Sequence, residues 1–318
     1  MSSLKITLNK HLIGTIISIQ YSIWLLFKLI KLIIHIGTHK TASTSFQTLC
    51  AQNSKLLSEN KILYPKYFKI PNIEDYYQHS TAARLSQKRD LISLRNFLEN
   101  IYKDTLESNC NTSLISGEDF ENFLVDIYLA SEFESIAKSI GYINIEWIVV
   151  KRNPLEYLLS IYSEKSAYGV VLDIGLIANN VLEYGYFSVS TEKYNYKFVF
   201  DIDKFSKFFQ INVNSKLRIL NFDDFIKDFP GKSILNNLVN EHTLKKLHEN
   251  SKSIGIKRKR LPNEKIEFRY IASFLGMTPN KEFHEKNRKL VESLIVHRLN
   301  RNALLLKEIE VKFKERFQ

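Results

Sequence analysis

The segment Gly37-Thr38-His39-Lys40-Thr41-Ala42-Ser43-Thr44-Ser45 sets a lysine among hydroxyl-bearing residues, directly after the apolar run Leu32–Ile36. Phe46 and Leu49 then recur at helical spacing. Strand, short polar loop and helix, in that order, make a seat for an anion. The first N–H groups of a helix have no partner inside it, and the helix dipole is positive at that end. Lys40 adds a point charge, so the ligand class is a phosphate or a sulfate. The segment departs from the G-x-x-x-x-G-K-[ST] loop of magnesium-nucleotide enzymes. The second glycine is missing, and Lys40 stands four residues ahead of Thr44. Ser116-Gly117-Glu118-Asp119 follows only a short apolar stretch, so no strand ends convincingly in a magnesium-holding aspartate.

A second constellation lies in Trp147-Ile148-Val149-Val150-Lys151-Arg152-Asn153-Pro154, with Ser160 two turns further on. Arg152 falls at the carboxyl end of an apolar strand, where ligands of open α/β sheets bind. Asn153 and Pro154 are a cap and a first-turn residue for the following helix, which carries Ser160. A guanidinium fork and a hydroxyl at these places can converge on one phosphate. A surface arginine and an ordinary helix serine are the bland readings of each residue alone.

These residues need elements to hold them. Strands are expected at Leu32–Ile36, Thr112–Ile115, Ile143–Val150 and Leu217–Leu220, and Lys61–Tyr64 is a short apolar stretch stopped by Pro65. Helices are expected over 45–60, 81–108 and 121–140, from Asn153-Pro154 onward, and around 284–315. Strands alternating with helices imply an α/β fold, with a parallel sheet covered by helices on both faces. Residues 66–80 read as aromatic-rich and irregular. Residues 12–30 are mostly apolar and about long enough to cross a bilayer, although Gln20 and Lys28 interrupt them. They form an extra N-terminal hydrophobic helix, read as residues 1–30, that either contacts a membrane or packs on the domain formed by residues 31–318. The rest of the chain is expected in the cytoplasm.

The 318 residues carry 45 Lys and Arg against 34 Asp and Glu, a formal net charge of +11, which favours anionic partners without choosing among them. The positive charge is spread along the chain rather than interleaved with aromatics on one face, which argues against nucleic acid. The basic run Lys252–Arg260 reads first as a solvated loop and second as a flap over an anionic ligand. Cys50 and Cys110 have no metal spacing and read as two unpaired thiols, Cys50 in a helix core; no metal is expected.

Taken together, the two constellations resemble the P-loop sulfotransferase superfamily, in particular its bacterial and Golgi carbohydrate sulfotransferase-like branch. That family opens with H-x-G-x-x-K-[ST]-[GA]-[ST]-[ST], and this chain has His35-Ile36-Gly37-Thr38-His39-Lys40-Thr41-Ala42-Ser43-Thr44. The family later has an arginine at a strand end and a serine eight residues on, within S-x-Y; Arg152, Ser160 and Tyr162 fit that pattern. The resemblance implies a P-loop-type parallel sheet and the co-substrate 3′-phosphoadenosine 5′-phosphosulfate (PAPS), used without a metal. The loop from Gly37 to Ser45 would then hold the 5′-phosphosulfate, and Arg152 with Ser160 the 3′-phosphate. Lys40 would stabilise charge on the bridging oxygen. For the base that takes the acceptor proton the resemblance offers His79 and Glu118, and leaves the choice between them open. No glycine and tryptophan follow Lys257–Arg260 in the manner of the small-molecule branch, which points to a carbohydrate or other polymer acceptor. The loops 64–80 and 165–200 would shape its pocket. The alternatives are a P-loop nucleotide kinase or NTPase, and a non-catalytic, membrane-associated nucleotide-binding module.

Overall fold

The computed structural model describes residues 29–67, 77–167, 170, 172–190, 195–254, 261–277 and 281–317. The expected apolar helix lies outside the described residues up to position 28, and so do Lys257–Arg260 of the basic run. Among the described residues no helix is long and apolar enough to cross a membrane.

The strands are β1 (Ile30–Ile36), β2 (Ile62–Leu63), β3 (Thr112–Gly117), β4 (Tyr142–Lys151), β5 (Tyr186–Ser190), β6 (Asn195–Val199) and β7 (Lys216–Asn221). Five of them form a parallel sheet in the order β2-β3-β1-β4-β7, and β5 and β6 pair as a separate antiparallel hairpin. The parallel α/β architecture expected from the sequence is therefore present. β1 begins earlier than expected: Ile30, assigned to the apolar helix, is buried in the strand and pairs with Tyr142.

The helices of the first half are α1 (Ser43–Gln52), α2 (Ser54–Glu59), α3 (Ser80–Gln87), α4 (Leu91–Glu107) and α5 (Ile127–Ile140). Those of the second half are α6 (Pro154–Ala167), α7 (Ile174–Tyr184), α8 (Ile202–Asn212), α9 (Phe222–Ile226), α10 (Lys232–Leu235), α11 (Glu241–Ile254), α12 (Asn263–Phe274), α13 (Lys281–Lys286) and α14 (Arg288–Phe317). A 3-10 turn spans Glu118–Leu124. Alternation along β1 assigns its two faces. Leu32, Ile34 and Ile36 pack with Leu98 of α4, Phe133 of α5 and Phe209 of α8. Ile33 packs on the other side with Phe46 and Leu49 of α1 and Leu247 of α11. With apolar side chains buried on both faces, β1 reads as a near-continuous hydrophobic run, as central parallel strands do. A further core joins α6, α7, the β5–β6 hairpin, α12 and α14.

The connection from β1 runs toward β2, while that from β3 crosses to β4 on the other side of β1. The carboxyl ends of β1 and β3 thus flank a switch point in the sheet, the place where such folds bind ligands.

Candidate phosphate site at the carboxyl end of the sheet

The loop after β1 is tightly folded on itself. Thr38 Oγ1 donates to the Val150 carbonyl at 2.8 Å, tying the loop to β4. Thr41 Oγ1 donates to the Thr38 carbonyl at 2.6 Å, and Ser43 Oγ to the same oxygen at 3.3 Å. Gly37 is needed because α1 starts so close: a Cβ there would lie 2.9 Å from Ser43 Oγ. Lys40 (φ 60°) and Ala42 (φ 61°) are both left-handed. Such a conformation costs a non-glycine residue about 1–2 kcal/mol, and it persists only where neighbours over-determine it. Ala42 is the residue before α1. Among the described residues no side chain caps the helix, and no acidic residue stands in its first turn. Its first N–H groups and the positive end of its dipole are left for an anion. Among the described residues Lys40 makes no ion pair either.

Arg152 comes directly to this loop. Its Nη1 donates to the Lys40 carbonyl at 2.7 Å. The guanidinium also lies 4.6 Å from the Phe222 ring centroid and 3.3 Å from Glu156. Asn153 is the expected cap of α6, its Oδ1 accepting from the N–H groups of Leu155 and Glu156 at 3.0 and 3.2 Å. Arg152 also lines a cleft of about 650 Å³ shared with Lys151, Asn221, Phe222, Lys314 and Phe317. That volume is ample for a nucleotide-sized ligand. The lining is of mixed charge, since Glu156, Asp223, Asp224 and Glu310 also contribute. Ser160 is buried within α6, and its hydroxyl takes part in no side-chain hydrogen bond among the described residues. Tyr162 faces another way: its hydroxyl donates to Glu267 at 2.8 Å, and Arg298 donates to that hydroxyl at 3.1 Å, linking α6, α12 and α14.

The histidines turn inward. His35 is fully buried, hydrogen-bonded through Nδ1 to Ser116 Oγ at 2.8 Å and stacked on Phe225, and burial lowers its pKa to about 3. His79, expected in an irregular acceptor-side segment, is also fully buried. The Ser116 N–H donates to its Nδ1 at 3.0 Å, and its Nε2–H donates to the Pro65 carbonyl at 2.9 Å. Burial lowers it to about 4. A neutral ring engaged on both nitrogens holds the segment before α3 against β3; taking a proton from an acceptor would break that arrangement. His39 gives both its N–H and its Nδ1–H to Glu121 Oε2, at 3.0 and 2.7 Å, and so is engaged within the protein.

Glu121 is the residue that sequence reasoning passed over. It is 1% exposed, and its other oxygen accepts from Tyr157 and the Val199 N–H, both at 2.7 Å. The only signal in the sequence was its place in the acidic stretch Glu118-Asp119-Phe120-Glu121. Glu118 sits at the head of the 3-10 turn, 3.9 Å from His39 Nε2, with its side chain 16% exposed. Lys165 lies 4.8 Å from the Tyr196 and Phe198 ring centroids; burial lowers its pKa against the pull of Glu164, Glu118, Glu121 and Asp119. Among the described residues no group of three or more His, Cys, Asp or Glu is arranged to hold a metal ion. Cys50 and Cys110 are buried free thiols, as expected.

No protein-family model, no curated protein and no solved structure matches the chain.

Proposed function

We propose that the chain is a sulfotransferase that moves a sulfuryl group from 3′-phosphoadenosine 5′-phosphosulfate to a hydroxyl or amine of an acceptor, with carbohydrate as the acceptor class. The observation that carries this reading is the hydrogen bond from Arg152 to the Lys40 carbonyl. It sets two cationic side chains, from two constellations far apart in sequence, at one end of the sheet beside an uncapped helix. A ligand with two separate phosphate groups suits that pairing better than one with a single terminus. The donor set is chemically right for such an anion: helix N–H groups, a point-charge lysine and a forked guanidinium.

The loop and the start of α1 would hold the 5′-phosphosulfate. Arg152, which lines the cleft beside Phe222, would hold the 3′-phosphate together with Ser160 of α6. As the bond from sulfur to the leaving phosphate oxygen breaks, negative charge grows on that oxygen. The start of α1 and the Lys40 backbone, held by Arg152, would place the helix dipole and the Lys40 side chain to meet it, which is where electrostatic catalysis is most effective. The acceptor proton goes to Glu118, favoured over His79 because His79 is engaged on both ring nitrogens. A membrane contact through the apolar residues 12–28, ahead of β1, and a cytoplasmic location for the rest belong to the same proposal.

Thermal stabilisation by adenosine 3′,5′-bisphosphate, compared with magnesium-ATP, tests the reading. Wild type should be stabilised by the bisphosphate, and Arg152→Ala should abolish the effect. Stabilisation by magnesium-ATP alone would overturn it in favour of a nucleotide kinase or NTPase.

A further inference from the structure

We propose that Glu121 is a positioning residue of the phosphate loop: it clamps the loop on one side of Lys40 while Arg152 clamps it on the other, and so holds the left-handed turn that presents Lys40 and the start of α1. The description of the ligand as a sulfuryl donor rests on the function proposed above; the clamp itself rests on geometry alone.

The carboxylate is saturated. Oε2 accepts from the His39 N–H and Nδ1–H, and Oε1 accepts from the Tyr157 hydroxyl and the Val199 N–H. These donors come from the phosphate loop, from α6 and from β6. A carboxylate with four donors and 1% exposure has no lone pair to offer an acceptor, so its contribution is to hold other groups. The two clamps bracket the strained residue. The N–H of His39 is fixed by Glu121, and the carbonyl of Lys40 is fixed by Arg152. Lys40 at φ 60° lies between them. Strain of this kind persists when its surroundings over-determine it, and here the two fixed peptide groups supply that determination. Because Val199 is the third partner, the β5–β6 hairpin and the loop are fastened to one atom pair, and they should loosen together.

Glu121→Gln is the informative change. An amide turns one oxygen into a donor, so whichever way it is placed, two of the four donors face another donor. Hydrogen exchange is measured on segments 37–46, 195–200 and 145–150, and adenosine 3′,5′-bisphosphate binding by calorimetry. Exchange at 37–46 and 195–200 should rise together on the order of tenfold or more, the scale of losing a charge-assisted hydrogen bond, with 145–150 in the core of β4 unchanged. Bisphosphate affinity should fall by a similar factor. His39→Asn, which keeps the backbone N–H, should raise exchange at 37–46 only, and adding it to Glu121→Gln should change little further. Exchange that stays at the wild-type rate in both segments, or that rises equally at 145–150, overturns the clamp. If wild type fails to bind the bisphosphate, the sulfotransferase reading falls, and the exchange pattern alone decides the clamp.

Discussion

Nη1 of Arg152 donates to the carbonyl oxygen of Lys40 at 2.7 Å, joining residues 112 positions apart. The two strands that deliver them, β1 and β4, are neighbours in register, Ile36 beside Val149. The contact is thus a direct result of parallel pairing, and it uses the planar fork of arginine: one arm on Lys40, another toward Glu156, the face against Phe222. Lysine cannot reproduce this, because an ammonium offers neither a fork nor a plane. Arg152→Lys is expected to weaken adenosine 3′,5′-bisphosphate binding about tenfold, a smaller loss than that of alanine, while the melting temperature without ligand changes little. Wild-type affinity in the lysine variant, measured by calorimetry, would show that charge alone suffices.

Lys40 gives two separable expectations. Its side chain is assigned to charge on the leaving oxygen, so Lys40→Ala should remove sulfuryl transfer while leaving bisphosphate binding largely intact. Its backbone is left-handed, so Lys40→Gly should also lack activity but be more stable than Lys40→Ala by about 1 kcal/mol, since glycine adopts that conformation without penalty. Urea midpoints at constant slope measure the difference. Equal midpoints would count against the turn; loss of binding together with activity would make Lys40 a binding residue.

The parts of the molecule that were legible in sequence are those where a long apolar run meets a sharp stop. Leu32–Ile36 before Gly37, and Ile143–Val150 before Arg152-Asn153-Pro154, are such places, and both became central strands with their loops at one end of the sheet. The helix expected over 45–60 breaks into α1 and α2 at Asn53, whose amide donates to the Leu49 carbonyl at 2.9 Å. The β5–β6 hairpin was not legible. Tyr186–Ser190 and Asn195–Val199 are five residues each, and in β6 the adjacent Phe198 and Val199 are both buried, so no period of two stands out from an aromatic-rich loop. Glu121 was hidden for a different reason. Buried acidic residues are rare without partners, and its partners, His39, Tyr157 and Val199, come from three separate parts of the chain. His79 looks like a loop residue in sequence because nothing local announces that Ser116 and Pro65 close over it.

The histidines set the pH dependence of stability, in opposite directions. Burial would lower His39, but its hydrogen bond to Glu121 and the charges of Glu118, Glu121 and Glu164 outweigh this and raise it from 6.5 to about 9. A raised pKa means stability fully present below pH 6.5 and lost as pH rises toward 9, on the order of 3 kcal/mol. His35 and His79 are lowered to about 3 and 4. Their contribution is present above pH 6.5 and lost as pH falls, because the unfolded chain takes up protons that the folded one refuses. Denaturant titrations between pH 4 and 9.5 should show a maximum near 6.5. His39→Gln should flatten the alkaline limb and leave the acid limb in place; an unchanged alkaline limb would mean that His39 is neutral in the folded protein.

The helix behind the phosphate loop is wedged from below at one glycine. Gly231, before α10, has φ +86°, and a Cβ there would lie 2.0 Å from Cδ2 of Phe46. Phe46 has nowhere to move: it is fully buried, edge-on to His35 at 5.0 Å and to Phe225 at 5.7 Å. Gly231→Ala therefore combines overpacking with left-handed strain and should cost about 3 kcal/mol. Phe46 lies one turn into α1, so displacing it moves the N–H groups assigned to the donor, and bisphosphate affinity should fall as well. Gly276→Ala is the matched control, with φ +67° and nothing within 4 Å of the added carbon. It should cost about 1 kcal/mol, from strain alone, and leave affinity unchanged. Equal losses of stability in the two variants, measured by urea denaturation, would show that Phe46 yields and that the wedge does not set the position of α1.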